Sequence, residues 1–215
     1  MSTFDINCRA CPRLAHFMDE VKRKHPAYHC RPVPPFGDQN AHLMVVGMAP
    51  GMHGANASGR PFTGDHAGIL LYQTLFEFGF SNQPQATEPN DGLKLINCRI
   101  TNAVKCLPPQ NKPVAAEVNQ CQSYLQAELH QLPANSVILT LGGIAHNAVL
   151  KTLGLKKSDY PFGHNICYDL ANQPQKPLSV VSSYHCSRYN TQTRRLTPDM
   201  FRAVFEKIQN KLTHA

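Results

Sequence analysis

Residues 42–78 read HLMVVGMAPGMHGANASGRPFTGDHAGILLYQTLFEF, and this stretch decides the fold. Residues 42–48 form a short apolar run next to a glycine, which is typical of a buried β-strand. A glycine-rich segment follows, and residues 67–78 then carry apolar side chains at helical spacing. A buried strand, a polar loop and a helix in this order indicate an α/β fold.

The rest of the chain repeats this alternation. Three further apolar runs have the length of buried strands: residues 95–101, 136–141 and 177–182. Helical spacing recurs in the segments between and after them: residues 114–132, residues 144–153, and a last helix from Pro198 to about Leu212. Short continuous apolar strands are typical of parallel sheets that are covered on both faces. We therefore predict a three-layer αβα sandwich with a central four-stranded parallel sheet.

Composition limits the possible classes of protein. A chain of 215 residues with 42% hydrophobic and 16% charged residues can bury a full core, so we expect one domain over residues 1–215. The formal charge of +7 favours a polyanionic partner. The N-terminal residues MSTFDINCRA contain no apolar signal region, so we expect a reducing cytoplasmic setting despite eight cysteines, and no association with a membrane.

Four of the cysteines form a pattern typical of a metallocluster. Cys8 and Cys11 are separated by two residues, whereas Cys106 and Cys121 are much further apart. The second interval is too long for a zinc ribbon, but a [4Fe–4S] cluster only needs four thiolates that converge in space. The spacing favours iron–sulfur over zinc, and buried thiols without a metal are the third alternative.

Two polar loops follow predicted strands and are candidates for a ligand site. Residues 47–68 are rich in glycine and lead into a helix, an arrangement that lets backbone approach a ligand and offers N–H groups to an anion. The segment lacks both the Walker lysine motif and the dinucleotide glycine spacing. Residues 182–197 combine a histidine, serines, a tyrosine and arginines. If the two strands are adjacent, the two loops lie side by side.

Together these segments resemble the uracil-DNA glycosylase superfamily, in particular its fifth family, the type b enzymes with a [4Fe–4S] cluster. The resemblance covers most of the chain and rests on four motifs: GMAPGMHG (47–54), GRPFTGD (59–65), TNAVKC followed by two prolines (101–109), and Tyr184-His185 with Ser187. It implies an enzyme that flips a damaged base out of DNA and hydrolyses its N-glycosidic bond. The four cysteines coincide with the cluster ligands of the family.

The resemblance also implies roles for individual residues. His185 donates a hydrogen bond to the departing base, Asn102 binds the edge of the pyrimidine, and Phe62 stacks against the flipped ring. Many members of the superfamily carry a water-activating residue where this chain has Ala49, so the base is expected to be Asp65 instead. Capping of the following helix is the alternative role for Asp65, and the two are compatible.

Further residues complete the predicted site. His53 and Asn56 are secondary candidates for orienting the water molecule. Gly51 stands where uracil-specific enzymes place a bulky aromatic residue, so we expect activity on other damaged bases such as hypoxanthine. Cys186 replaces the usual proline of the last motif, which predicts a looser loop and an oxidisable thiol.

The partner implied by the resemblance is DNA that contains uracil or other damaged bases, bound by a monomer associated with the nucleoid. The loop expected to enter the duplex carries Arg188, Tyr189, Arg194 and Arg195. We also expect Lys105 and Lys112 on a DNA-facing side next to the cluster. Two alternatives stay open: an inactive iron–sulfur protein that binds nucleic acid, and a hydrolase of free nucleotides or nucleosides.

Overall fold

The computed structural model of the protein describes residues 4–170 and 176–213. The helices are α1 (Pro12–Lys24), α2 (Ala55–Ser58), α3 (His66–Glu77), α4 (Ala115–Gln131), α5 (Gly143–Thr152), α6 (Arg188–Gln192) and α7 (Pro198–Thr213). The strands are β1 (Phe36–Gly37), β2 (Leu43–Gly47), β3 (Cys98–Asn102), β4 (Ser136–Leu141), β5 (Ile166–Leu170) and β6 (Leu178–Ser183). A short 3-10 turn spans Pro109–Asn111.

The strands form one sheet of six, in the order β1-β3-β2-β4-β6-β5. The four central strands are parallel to one another and are the four predicted from sequence. Short antiparallel strands extend both edges of the sheet. The α/β prediction is therefore confirmed, with two edge strands added to the predicted four.

Helices cover both faces of the sheet. The side chains of β2 and β4 are buried throughout, because each strand packs against helices above and below. One apolar cluster joins the sheet to α3 and α7, and a second joins its opposite face to α4 and α5. This arrangement is the predicted three-layer sandwich.

Local sequence explains where several helices begin. Pro198 is the first residue of α7, as predicted, since proline fits the first turn of a helix. Pro12 begins α1, which the sequence analysis did not predict. No helix in the described part of the chain is long and apolar enough to cross a lipid bilayer.

The order of the strands decides how the two polar loops meet. The strands that precede the two polar loops, β2 and β6, are not neighbours, because β4 lies between them and pairs with both. The loop that follows β4 therefore takes part in the site that the sequence analysis assigned to two loops.

Candidate active site

A cavity of about 440 Å³ opens at the carboxyl ends of the central strands. This is the edge where open α/β sheets place their ligands, because the connecting loops converge there. Residues from all four strand-end loops line it: Met48, Ala49, Gly51, Ala55, Phe62, Asp65, Ala67, Asn102, Asn111, Leu141, Gly142, Gly143, Ile144, His185, Ser187 and Arg188.

Asp65 is the N-cap residue of helix α3 and lines this cavity. Its Oδ1 accepts a hydrogen bond from the backbone N–H of Gly68 at 2.9 Å, so the side chain caps the helix. Its Oδ2 faces the first loop, where a β-carbon on Gly51 would lie 3.8 Å away. Burial raises the pKa of Asp65, which makes its carboxylate a stronger base. The cap and the predicted catalytic role therefore use different oxygens of the same side chain.

Asn102 ends strand β3 in the wall of the cavity. Its side chain is 3% exposed, and its Oδ1 has no hydrogen-bond partner within the described part of the protein. A β-carbon on Gly47 would lie only 2.3 Å from this oxygen and 2.8 Å from the Phe62 ring. Only glycine lets the amide and the ring come together here. A buried amide without a partner is suited to bind a polar ligand.

Phe62 and His185 form an aromatic pair at the cavity. Their ring centroids lie 5.9 Å apart and the ring planes differ by 29°. Burial lowers the pKa of His185 to about 4, so its imidazole is neutral at physiological pH. A neutral imidazole can donate one hydrogen bond and does not bring a positive charge into the site.

The titration of His185 gives a direct prediction. Because its unfolded-state pKa is about 6.5 and its folded-state pKa is lowered, the unfolded chain binds this proton first. The free energy of unfolding should therefore fall as the pH is lowered from about 6.5 towards 4 on account of this group. We expect the His185 imidazole NMR resonance, identified by its loss in His185→Gln, to keep its neutral-form shift down to about pH 5. A midpoint near 6.5 would contradict this.

Two predicted water-orienting residues lie away from the cavity. The His53 ring is exposed. The hydroxyl of Tyr28 lies 2.9 Å from His53 Nδ1, and the ring of His25 packs against the His53 ring edge to face. The Asn56 side chain is fully buried and its amide donates to the Cys30 sulfur at 3.4 Å. The structure does not bring either residue to the site.

The predicted DNA-binding residues lie on helix α6 and directly after it, and one of them lines the cavity. Arg188 lines the cavity at the start of α6, and the Tyr189 side chain next to it is 70% exposed. Arg194 is exposed, and its backbone adopts a positive φ of 56°. The guanidinium of Arg195 lies 4.6 Å from the centre of the Tyr184 ring. The ring covers one face of the guanidinium, and the N–H edge of the guanidinium remains available to a phosphate.

The four predicted cluster ligands all line one cavity, which is separate from the first. Cys8 and Cys11 precede α1, Cys106 follows β3, and Cys121 lies within α4. All are free thiols. Burial and the neighbouring thiols raise the pKa of Cys11 to about 11, and burial also raises the pKa of Cys106 and Cys121. Thiolates at this site would need the positive charge of a bound metal group.

Two expectations for residues near the cavities are wrong, one for Lys105 and one for Cys186. Lys105 is 1% exposed and pairs with Glu128 at 2.8 Å, so it cannot face DNA, whereas Lys112 is exposed. Cys186 is fully buried, and burial raises its pKa, which makes it an unreactive thiol and not an oxidisable one. Ser187 stabilises the loop by capping α6.

The sequence analysis missed two parts of the site. The loop after β4 contributes residues 142–144, at the start of α5, and this helix start carries no side-chain cap. Its free N–H groups are available to an anion. Asn111 also lines the cavity, from a turn in which Gln110 and Asn111 both have a positive φ. The glycine pair after a predicted strand was a signal for the first of these.

Comparison with known proteins shows the family of the chain. Residues 34–209 match the family model of the Uracil DNA glycosylase superfamily. The chain is 45% identical to the Type-5 uracil-DNA glycosylase of Thermus thermophilus, with 92% of this chain and 90% of that protein covered. It is 41% identical to the Type-5 enzyme of Pyrobaculum aerophilum, covering 94% and 88%. Identity to the Type-4 uracil-DNA glycosylase of Saccharolobus solfataricus is 30%, covering 83% and 77%.

Proposed function

Because the chain belongs to the type-5 family of the uracil-DNA glycosylase superfamily, we propose that it hydrolyses the N-glycosidic bond of deoxyuridine in DNA. The products are free uracil and an abasic site. The observation that carries the proposal is one cavity that holds a half-buried carboxylate, a neutral imidazole and an unpartnered amide. These are the groups that hydrolysis of this bond requires.

The carboxylate acts at the sugar. As the glycosidic bond stretches, positive charge develops on the deoxyribose, and an anion nearby stabilises it. Asp65 Oδ2 supplies this charge and accepts a proton from the attacking water. Its Oδ1 is held by the start of α3, so the free oxygen has a fixed direction.

The other groups act at the base. Negative charge develops on the departing uracil, where His185 donates a hydrogen bond to a carbonyl oxygen. The amide of Asn102 binds the remaining polar edge, which satisfies a buried oxygen that lacks a partner. The ring of Phe62 stacks on the flipped base. The residues that contact the DNA lie on helix α6 and directly after it: Arg188, Tyr189, Arg194 and Arg195.

The test is strand scission by alkali of an end-labelled duplex that contains one uracil, after incubation with the protein in EDTA. We expect abasic sites to form, because no free metal ion takes part. A protein that binds the duplex but leaves the uracil in place would instead be the inactive binding protein. Hydrolysis of free deoxyuridine, together with excision from DNA that does not depend on the length of the duplex, would favour the nucleoside hydrolase.

We also propose that the enzyme removes larger damaged bases such as hypoxanthine. The support is Gly51, which lines the cavity without a side chain. A β-carbon there would lie 3.8 Å from its nearest neighbour, so Gly51→Ala fits without strain. Since one methyl group in a tight pocket costs about 10-fold or more, we expect Gly51→Ala to lose hypoxanthine excision about 10-fold more than uracil excision. Equal losses on both duplexes, or a wild type inactive on hypoxanthine, would contradict the proposal.

We propose a [4Fe–4S] cluster at the four-thiol site, with Cys8, Cys11, Cys106 and Cys121 as ligands. The support is that all four cysteines line one cavity, since a [4Fe–4S] cluster needs four thiolates that converge in space. The bound group would hold α1 against α4 and would play no part in the reaction steps.

Replacing one ligand tests the cluster. Cys121→Ser should remove the visible absorption of the purified protein and lower its iron content from about four atoms per chain to below about one. Cys167→Ser is the matched control, because Cys167 lies in the edge strand β5 outside the site. A colourless wild type that contains zinc would overturn the proposal.

A further inference from the structure

Phe62 has a backbone conformation that needs support. Its φ is +54°, in the left-handed region that a bulky aromatic residue rarely adopts. The residue is nevertheless buried in the wall of the active-site cavity. Strained conformations of this kind persist only where surrounding contacts hold them.

The first support comes from helix α3. The hydroxyl of the fully buried Tyr72 donates to the carbonyl oxygen of Pro61 at 2.8 Å. The Phe62 carbonyl packs over Gly68, where a β-carbon would lie only 1.9 Å from the oxygen. The peptide groups on both sides of Phe62 are thus fixed against the first two turns of this helix.

The second support is a buried ion pair. Arg60 contacts both oxygens of Asp91, at 2.9 and 2.7 Å, and their side chains are 7% and 8% exposed. Arg60 also donates to Thr63 Oγ1 at 2.7 Å, so it braces the turn from both ends. The Arg60 guanidinium holds the pKa of Asp91 well below its usual range.

Asp91 carries this support into a second loop, residues 86–93. Its carboxylate accepts backbone N–H groups of Thr87 at 2.9 Å and Leu93 at 3.0 Å. The backbone N–H of Gly64 donates to Ala86 at 3.1 Å. The loop is therefore closed on itself by Asp91 and tied to the turn that carries Phe62.

We propose that Arg60, Asp91 and Tyr72 form a clamp that positions Phe62 for stacking on the flipped base. The three are positioning residues, since they act through Phe62. The proposal rests on the proposed function, because the stacked group is the substrate base. Asp91 and Tyr72 lie outside the cavity lining and outside the motifs that the sequence analysis singled out.

The test compares two duplexes of the same sequence. One contains 2′-fluoro-2′-deoxyarabinouridine, whose glycosidic bond resists hydrolysis, and the other contains a tetrahydrofuran abasic-site analogue that has no base. Because stacking of one base is worth about 5- to 150-fold in affinity, we expect the wild type to bind the first duplex more tightly by about that ratio. Asp91→Asn and Tyr72→Phe should lower the ratio by about 5-fold or more and change binding of the tetrahydrofuran duplex by less than about 2-fold.

Two further measurements separate positioning from general damage. In a Phe62→Ala background, Asp91→Asn should have no further effect on the ratio, because both changes remove the same interaction. Amide hydrogen exchange of the free protein should be about 10-fold faster at Gly64, Thr87 and Leu93 in Asp91→Asn. Glu77→Gln, which breaks an exposed ion pair between α3 and Arg202 of α7, is the matched control and should leave the ratio unchanged.

A ratio that stays at the wild-type value in both folded variants would overturn the clamp, as would an equal loss of affinity for both duplexes. Tyr72→Phe keeps the test available if Asp91→Asn does not fold. Equal binding of the two duplexes by the wild type would count against the proposed function. The amide exchange rates of the Asp91→Asn variant would still test whether Asp91 holds the turn that carries Phe62.

Discussion

Replacing Asp65 with asparagine should slow uracil excision by about 10²- to 10⁴-fold, the range typical for loss of a general base, and leave the protein as stable as the wild type. Asparagine caps a helix as well as aspartate does, so the hydrogen bond to Gly68 is kept. The amide cannot accept the proton of the attacking water. The substitution therefore removes the chemical role of Asp65 and keeps its structural one.

The measurement is single-turnover excision on a duplex with one uracil, together with thermal unfolding. Asp65→Ala is the matched variant, because it loses the cap as well and should cost about 0.5 to 2 kcal/mol in stability. Full activity in Asp65→Asn would assign this residue to capping alone.

The pH profile of the wild type provides a second check on Asp65. Only the ionised carboxylate accepts a proton, and burial raises the pKa of this group. The rate should therefore rise with pH and level off above the raised pKa of Asp65. An acid limb with its midpoint below the ordinary value of about 3.9 would contradict the burial seen here.

Lys105→Met should lower the free energy of unfolding by about 3 to 5 kcal/mol, the usual cost of leaving one partner of a buried ion pair alone. Lys105 Nζ lies 2.8 and 3.0 Å from the two oxygens of Glu128 and 2.5 Å from Thr101 Oγ1. All three residues are buried. Methionine fills a similar volume, so the loss comes from the uncompensated carboxylate.

The controls use the same chemistry at other positions. Lys211→Met breaks an exposed pair with Asp169 and should cost no more than about 1 kcal/mol. The double variant Lys105→Met/Glu128→Leu should recover most of the loss, because neither charge is then buried alone. Denaturant unfolding measures all four proteins, and a loss in Lys105→Met as small as in Lys211→Met would show that water reaches Glu128.

Apolar pattern alone predicted the central sheet. Residues 136–141 coincide with β4, and the other three parallel strands begin and end within three residues of their predicted limits. The edge strands were missed because they do not carry the pattern. β1 has two residues, and β5 is half-exposed along most of its length, so neither contains a continuous buried run.

The site was predicted less evenly. Asp65, His185, Phe62 and Asn102 line one cavity, as expected from motifs that immediately follow strands or precede a helix. Burial could not be predicted for single polar residues. The charge of Lys105 suggested the surface, yet a partner 23 residues away in sequence buries it. Asn111 reaches the cavity through a turn of unusual backbone conformation, for which asparagine is only a weak signal.

The five residues from Asn102 to Cys106 connect the active-site cavity to the four-thiol site. Asn102 lines the first of these and Cys106 lines the second. The backbone N–H groups of Ala103 and Val104 each donate to the first loop at 2.9 Å, and the carbonyl of Lys105 accepts from Val33. An insertion or deletion here would shift one site against the other by about 3.3 Å, the rise of one extended residue. Laboratory evolution of this protein should therefore accept changes of loop length elsewhere long before it accepts one between Asn102 and Cys106.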